Sequence, residues 1–237
     1  MRFGGAHKAI FGATISGFTP PATYSDDWLT DGNLNYPGYQ SGGSLSATAS
    51  FSSRQIDAAV VANHRIRQAA SITTGIGAIA TNPWPADDIP RNWGILLASP
   101  VTISSLSLAV TGNTDPVIIG ELWAGLTSKF PDFQHGTRLS PQAPFLWEGE
   151  YESLAPQEAG VAAQRRRTGR ITLTDAQFEE LDEVFLSQRL GKRPIMYMDN
   201  DLEEDDMWMC QFSYDAEHRE GWHHVELQIT EIPRTEW

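Results

Sequence analysis

The 237 residues carry 30 acidic against 17 basic side chains, a formal net charge of −13. That balance excludes a general nucleic-acid binder, which must face phosphates with a basic surface, and an apolar content of 41% excludes intrinsic disorder. A single cysteine, Cys210, excludes an intrachain disulfide and a thiolate metal cluster.

The chain opens Met1-Arg2-Phe3-Gly4-Gly5, without the apolar run of a secretory signal, so folding in a reducing cytoplasm is expected. Gly12 to Gly17 has the glycine spacing of a phosphate loop but continues Phe18-Thr19, where that loop requires a lysine. Gly and Pro then punctuate the first half, at Thr19-Pro20-Pro21, Asp31-Gly32, Tyr36-Pro37-Gly38 and Ser41-Gly42-Gly43. Short strands between such turns predict a sandwich or jelly roll.

From Ser44 to Phe51 the residues Leu45, Ala47, Ala49 and Phe51 alternate with Ser44, Ser46, Thr48 and Ser50. Successive strand side chains point to opposite faces, so this is a strand with one buried side. Gly75-Ile76-Gly77-Ala78-Ile79-Ala80 spells a dinucleotide fingerprint, but Asn82-Pro83-Trp84-Pro85 follows and excludes the helix that the motif needs. A Gly-rich strand and turn is the better reading. The apolar stretch Gly94 to Val110 is broken by Ser99, Pro100, Ser104 and Ser105, so no membrane span is expected. Within it Val101 and Ile103 lie on one face and Leu106, Leu108 and Val110 on the other, which predicts a bulge near Ser104-Ser105.

A shift from Gly/Ser/Ala-rich to charged and aromatic composition places a domain boundary near Asp115-Pro116, giving units at 1–115 and 116–237. Pro131, Pro141, Pro144 and Pro156 surround a strand-like run from Phe145 to Tyr151, so 129–169 is expected to be an extended arm or long loop. Glu148, Glu150 and Glu152 share one face of that run. Glycosidase carboxylates must flank a cleft from opposed positions, so this row is a solvated face, and no enzyme is expected.

Thr174 and Gln177 form a Thr-x-x-Gln capping box before a stripe of Phe178, Leu181, Val184 and Phe185. Gly191 and Pro194 end that helix. Runs at Arg170–Leu173, Ile195–Met198, Met207–Phe212 and Val225–Ile229 read as strands. The predicted fold class is therefore mainly β: an N-terminal jelly-roll sandwich and a C-terminal β-α-β-β-β unit, a sheet covered by one helix.

The acids between Asp199 and Asp206 lack the glycine of a calcium loop, with Glu204 in its place, and read as a solvated hairpin turn. His223 and His224 are adjacent, so on a strand they cannot share one ion, His218 lies in a turn-like stretch, and His7, His64 and His135 are scattered. No metal or cofactor is expected. On a strand Arg165 and Arg167 share one face and Arg166 and Arg170 the other, suiting them to carboxylates of neighbouring subunits. Tyr36, Tyr39, Trp84 and Trp93 are aromatics that would serve either a sugar ring or a protein interface.

Two stretches carry a family resemblance. Leu29-Thr30-Asp31-Gly32, the Ser/Ala strand and then Ile56-Asp57-Ala58-Ala59-Val60-Val61-Ala62-Asn63-His64-Arg65-Ile66 resemble galactose-binding-like (discoidin-type) jelly rolls. Ile118-Ile119-Gly120-Glu121-Leu122-Trp123-Ala124-Gly125, Arg165-Arg166-Arg167 and Ile171 to Phe178 are similar to distal tail and baseplate-hub proteins of long-tailed bacteriophages. The resemblance implies a structural virion protein, a homo-oligomeric and commonly hexameric ring at the tail tip, assembled in the host cytoplasm. Its partners would be the tail tube, the tape-measure and other tip proteins. The alternative function is a glycan-binding module that contacts the host surface.

Overall fold

The structure, a computed structural model, describes residues 1–5, 9–31, 37–67, 70–79, 91–134, 138–142, 164–191, 194–198 and 207–232. In the first half the strands are β1 (Arg2–Gly4), β2 (Thr14–Ser16), β3 (Gly38–Gln40), β4 (Leu45–His64), β5 (Ser71–Thr74), β6 (Gly77–Ile79) and β7 (Arg91–Thr111). They are followed by β8 (Val117–Ile119), β9 (Glu121–Gly125), β10 (Ser128–Lys129), β11 (Arg138–Gln142) and β12 (Gln164–Leu173). Helix α1 (Asp175–Gly191) then precedes β13 (Ile195–Met198), β14 (Met207–Arg219) and β15 (Trp222–Glu231). The fold is mainly β, a sandwich of several sheets with one long helix among the described residues. None of the described helices is long and apolar enough to cross a membrane.

One sheet runs β2-β4-β7-β5-β6, with β9 pairing β4 on the side where β2 leaves off. The predicted alternation is present at the start of β4, where Leu45, Ala47 and Ala49 are buried and Ser46 and Ser50 are exposed. From Ile56 to His64 the alternation ends and every residue is buried. The cause is a second covering layer. Ala59 and Val61 enter the core with Leu106 and Leu108. Ala58, Val60 and Ala62, on the other face, pack with Trp123 and with Met196, Met198, Met207 and Met209. Small side chains let the two sheets approach, and methionine fills the irregular gap between them.

The bulge expected at Ser104-Ser105 falls there, but its extra residues belong to the partner strand. Ser50 pairs with Ser105 and Arg54 with Ile103, so 51–53 of β4 face a single residue of β7. Asn63 adopts φ 53°, and its backbone N–H donates to Asn92 Oδ1 at 2.7 Å. Asparagine tolerates that left-handed conformation, so Ala62-Asn63-His64 is where the long strand turns away. Gly75 and Ile76 link β5 to β6 in a hairpin, as the strand-and-turn reading required.

The second sheet has the order β10-β1-β13-β14-β15-β12-β11. It does not follow the division expected at Asp115-Pro116. Strand β1 comes from the first half, and β8 and β9, beyond the boundary, pair with β3 and β4. Within the arm segment β11 pairs with β12, whereas 143–163 lie outside the described residues, and with them Phe145 to Tyr151 and the row Glu148, Glu150, Glu152. The acidic run 199–206 also lies outside them.

Helix α1 begins as its capping box predicts. The Gln177 N–H donates to Thr174 Oγ1 at 3.3 Å and the Thr174 N–H to Gln177 Oε1 at 3.1 Å. Leu181 and Val184 are buried against Ile171, Val225 and Leu227, with Phe178 and Phe185 at the edge of that core. Gln188 grips the backbone of Phe212 from both sides, donating to its carbonyl at 3.1 Å and accepting from its N–H at 2.8 Å. Among the described residues β13 reaches along β14 only as far as Cys210, and Gln188 supplies the hydrogen bonds to Phe212 beyond it. Cys210 is fully buried, and that burial, with Glu231 adding to it, pushes its thiol well above the usual range. Thr174→Ala is expected to cost about 1 kcal/mol, the worth of a cap oxygen, in a urea titration; an unchanged midpoint would show that the cap is idle.

Candidate binding site

Strands β14 and β15 form a long hairpin closed by Glu220 and Gly221, at φ 50° and 83°. Two left-handed residues make the turn whose twist matches the flanking strands, and glycine relieves the second position. The register places Arg219 opposite Trp222, His218 opposite His223 and Glu217 opposite His224. Side chains alternate, so Trp222, His224, Arg219 and Glu217 share the face turned away from α1. His218 and His223 take the other face.

At the tip none of the described strands covers Trp222, which stays 49% exposed. It borders a shallow open pocket of about 610 Å³ shared with Thr172, Arg219, Glu220 and His224. The polar walls are held in place. His224 Nδ1 lies 3.2 Å from Thr172 Oγ1, which accepts from Gln134 Nε2 at 2.8 Å. Arg219 donates to Glu217 Oε1 at 2.7 Å. The pocket thus offers an apolar aromatic face beside a guanidinium, a carboxylate and an imidazole. Such groups suit stacking and hydrogen bonding.

Of the aromatics expected to contact a glycan or a protein, the two that the structure describes, Tyr39 and Trp93, lie elsewhere. Trp93 is buried, 4% exposed, in the core of the first sheet, which removes it as a sugar contact. Tyr39 is half-buried and stacks on Tyr24 with ring centroids 4.8 Å apart, and Trp28 meets Tyr24 edge-on at 5.6 Å. These rings use their faces on one another. Tyr36 and Trp84 lie outside the described residues. Trp222 carries no signal of its role in the sequence, because Glu220-Gly221 before it is not one of the strong hairpin dipeptides.

Arg170 and Arg167 meet partners within the chain. Arg170 lies 3.7 Å from Glu226, its cross-strand neighbour on β15, with both side chains exposed. The Arg167 guanidinium stands 5.2 Å from the Phe133 ring, which itself rests on Gly169. Arg166 is half-buried on the opposite face of β12, and the Arg165 side chain lies outside the described set.

No protein-family model and no curated protein match the sequence. Solved structures align to about half of it. The crystal structure of SpGH29 aligns at 13% identity and TM-score 0.40, over 51% of this chain and 28% of that one, so this chain spans little more than a quarter of its length. The family 32 CBM from C. perfringens NanJ, in complex with galactose, aligns at 14% identity and TM-score 0.38, over 54% of this chain and 100% of that one. A mutant of the lectin binding domain of Lectinolysin, complexed with Lewis b, aligns at 6% identity and TM-score 0.37, over 49% and 94%. These likenesses include carbohydrate-binding modules and give no support to a phage tail ring. At such TM-scores they carry no site residue across.

Proposed function

We propose that this chain is a carbohydrate-binding protein that acts by binding without turnover, with the pocket at Trp222 as its sugar contact. The exposed indole carries the reading. Most large apolar side chains among the described residues are covered, and Trp222 is the most exposed of the three that are not. A flat aromatic face stacks on the apolar face of a pyranose, and planar polar groups beside it hydrogen-bond the hydroxyls that project around the ring. Arg219, Glu220 and His224 supply donors and acceptors in that position. Carbohydrate ligands are present in two of the compared structures, but the reading rests on Trp222 and its neighbours alone.

A glycan array followed by calorimetric titration of the best ligand tests it. Trp222→Ala is expected to weaken binding about 30-fold, the loss of an anchoring aromatic worth about 2 kcal/mol, with the unfolding midpoint unchanged. An array without a single ligand, or undiminished binding by the variant, would refute the proposal. Release of reducing sugar from the bound glycan would refute the binding-only reading.

A further inference from the structure

We infer that Asp175, His218 and His223 form a site for a divalent transition-metal ion of zinc-like chemistry. The inference is independent of the carbohydrate reading, since the three residues occupy the face of the β14–β15 tip turned towards α1 and Trp222 the opposite one.

The sequence gives no hint of the cluster, because its members are separated by 43 and 5 positions and the hairpin brings them together. His218 and His223 are direct cross-strand partners, and their ring centroids are 4.8 Å apart. Asp175 is the first residue of α1, held there by the Thr174–Gln177 capping box. Both imidazoles aim Nε2 at one carboxylate oxygen: His223 at 2.9 Å from Asp175 Oδ1 and His218 at 3.8 Å. Two ligands at about 2.1 Å from a tetrahedral zinc stand about 3.4 Å apart, and the two measured distances bracket that value. All three ligand atoms lie within 4.8 Å of one another, so an ion placed among them needs only small side-chain rotations.

The surroundings fit a metal site. The His223 ring lies flat on Phe178, with centroids 4.1 Å apart and planes 3° from parallel, which fixes its orientation before any ion arrives. His223 is mostly buried, whereas His218 and Asp175 are 57% and 70% exposed at the side chain, leaving an entry path. Two imidazoles and one carboxylate suit zinc, cobalt, nickel or copper. Calcium and magnesium prefer all-oxygen shells. Three protein ligands leave at least one coordination position for water or an outside group. A bound ion would pin the N-terminus of α1 to the hairpin tip.

The test uses the full chain after treatment with a chelator. Cobalt(II) titration is expected to produce visible d–d absorption that saturates at one ion per chain and is displaced by zinc. Zinc at one hundred times its Kd should raise the thermal midpoint by about 5–10 °C, and calcium should not. Loss of an outer-shell partner alone costs about 10–100-fold in affinity, so His218→Gln and Asp175→Asn should each cost at least about 100-fold. Both positions are exposed, so both variants should match the wild-type circular dichroism and metal-free midpoint. Absence of the cobalt spectrum, or a spectrum and midpoint shift that persist in both variants, would overturn the assignment.

Discussion

Trp123→Ala is expected to lower the free energy of unfolding by about 3–5 kcal/mol, the range for deleting a fully buried large aromatic. Trp123 lies on β9 with no exposed surface, between the outer face of β4 and the four methionines of β13 and β14. Among the described residues it is the largest side chain at the contact between the two sheets. Its indole N–H meets no hydrogen-bond acceptor among the described residues, so Trp123→Phe, which removes that polar atom while keeping a ring, should cost much less than the alanine change. Gly4 belongs to the same packing: a Cβ there would come within 2.3 Å of the Trp123 ring. Gly4→Ala must therefore displace the indole or shift β1, and its cost should fall sharply when combined with Trp123→Ala. Denaturant titration of the three single variants and the double variant reads all of this. Full additivity of the Gly4 and Trp123 changes would show that the two do not share a contact.

Asp57→Ala is expected to cost about 3 kcal/mol, because it strips a buried carboxylate from partners that remain buried. Asp57 is on β4 where the ladder with β7 breaks: Ile56 pairs with Val101, but Ala58 pairs with Leu96. Its carboxylate, 5% exposed, accepts from the Thr127 backbone N–H and from the Thr127 hydroxyl, each at 2.8 Å. Arg2 Nη1 donates to that same hydroxyl at 3.1 Å and lies 3.7 Å from Asp57 Oδ2. One carboxylate thus ties β4 to the connection between β9 and β10, and to β1 of the other sheet. Removing it leaves the Thr127 N–H without its acceptor in a place water does not reach. Asp57→Asn retains one acceptor oxygen and should recover part of the loss. A urea titration in which Asp57→Ala costs less than about 1 kcal/mol would show that water replaces the carboxylate.

The two effects share a location. Both act where the sheets meet, and neither residue carries a local signal of its importance. A tryptophan in an apolar strand and an aspartate beside an isoleucine look alike wherever the second layer happens to fall.

Local regularities were legible wherever one element sets them. The period of two in Ser44–Phe51 and Val225–Ile229 fixed the buried faces of β4 and β15. The Thr174–Gln177 spacing fixed the start of α1, and Ile195–Met198 matched β13 residue for residue. Such features depend on backbone geometry over a few residues, which the sequence dictates directly. The tertiary structure decided which of those faces receives a second cover. It buried both sides of β4 from Ile56 onward, and it carried β1 across to pair with β13. It also sorted the aromatics, placing Trp93 in a core and Trp222 at an uncovered tip. Finally it set His218 opposite His223 and brought Asp175 to both. Each of these outcomes joins residues far apart in the chain, and side-chain identity and spacing hold no record of distance through space.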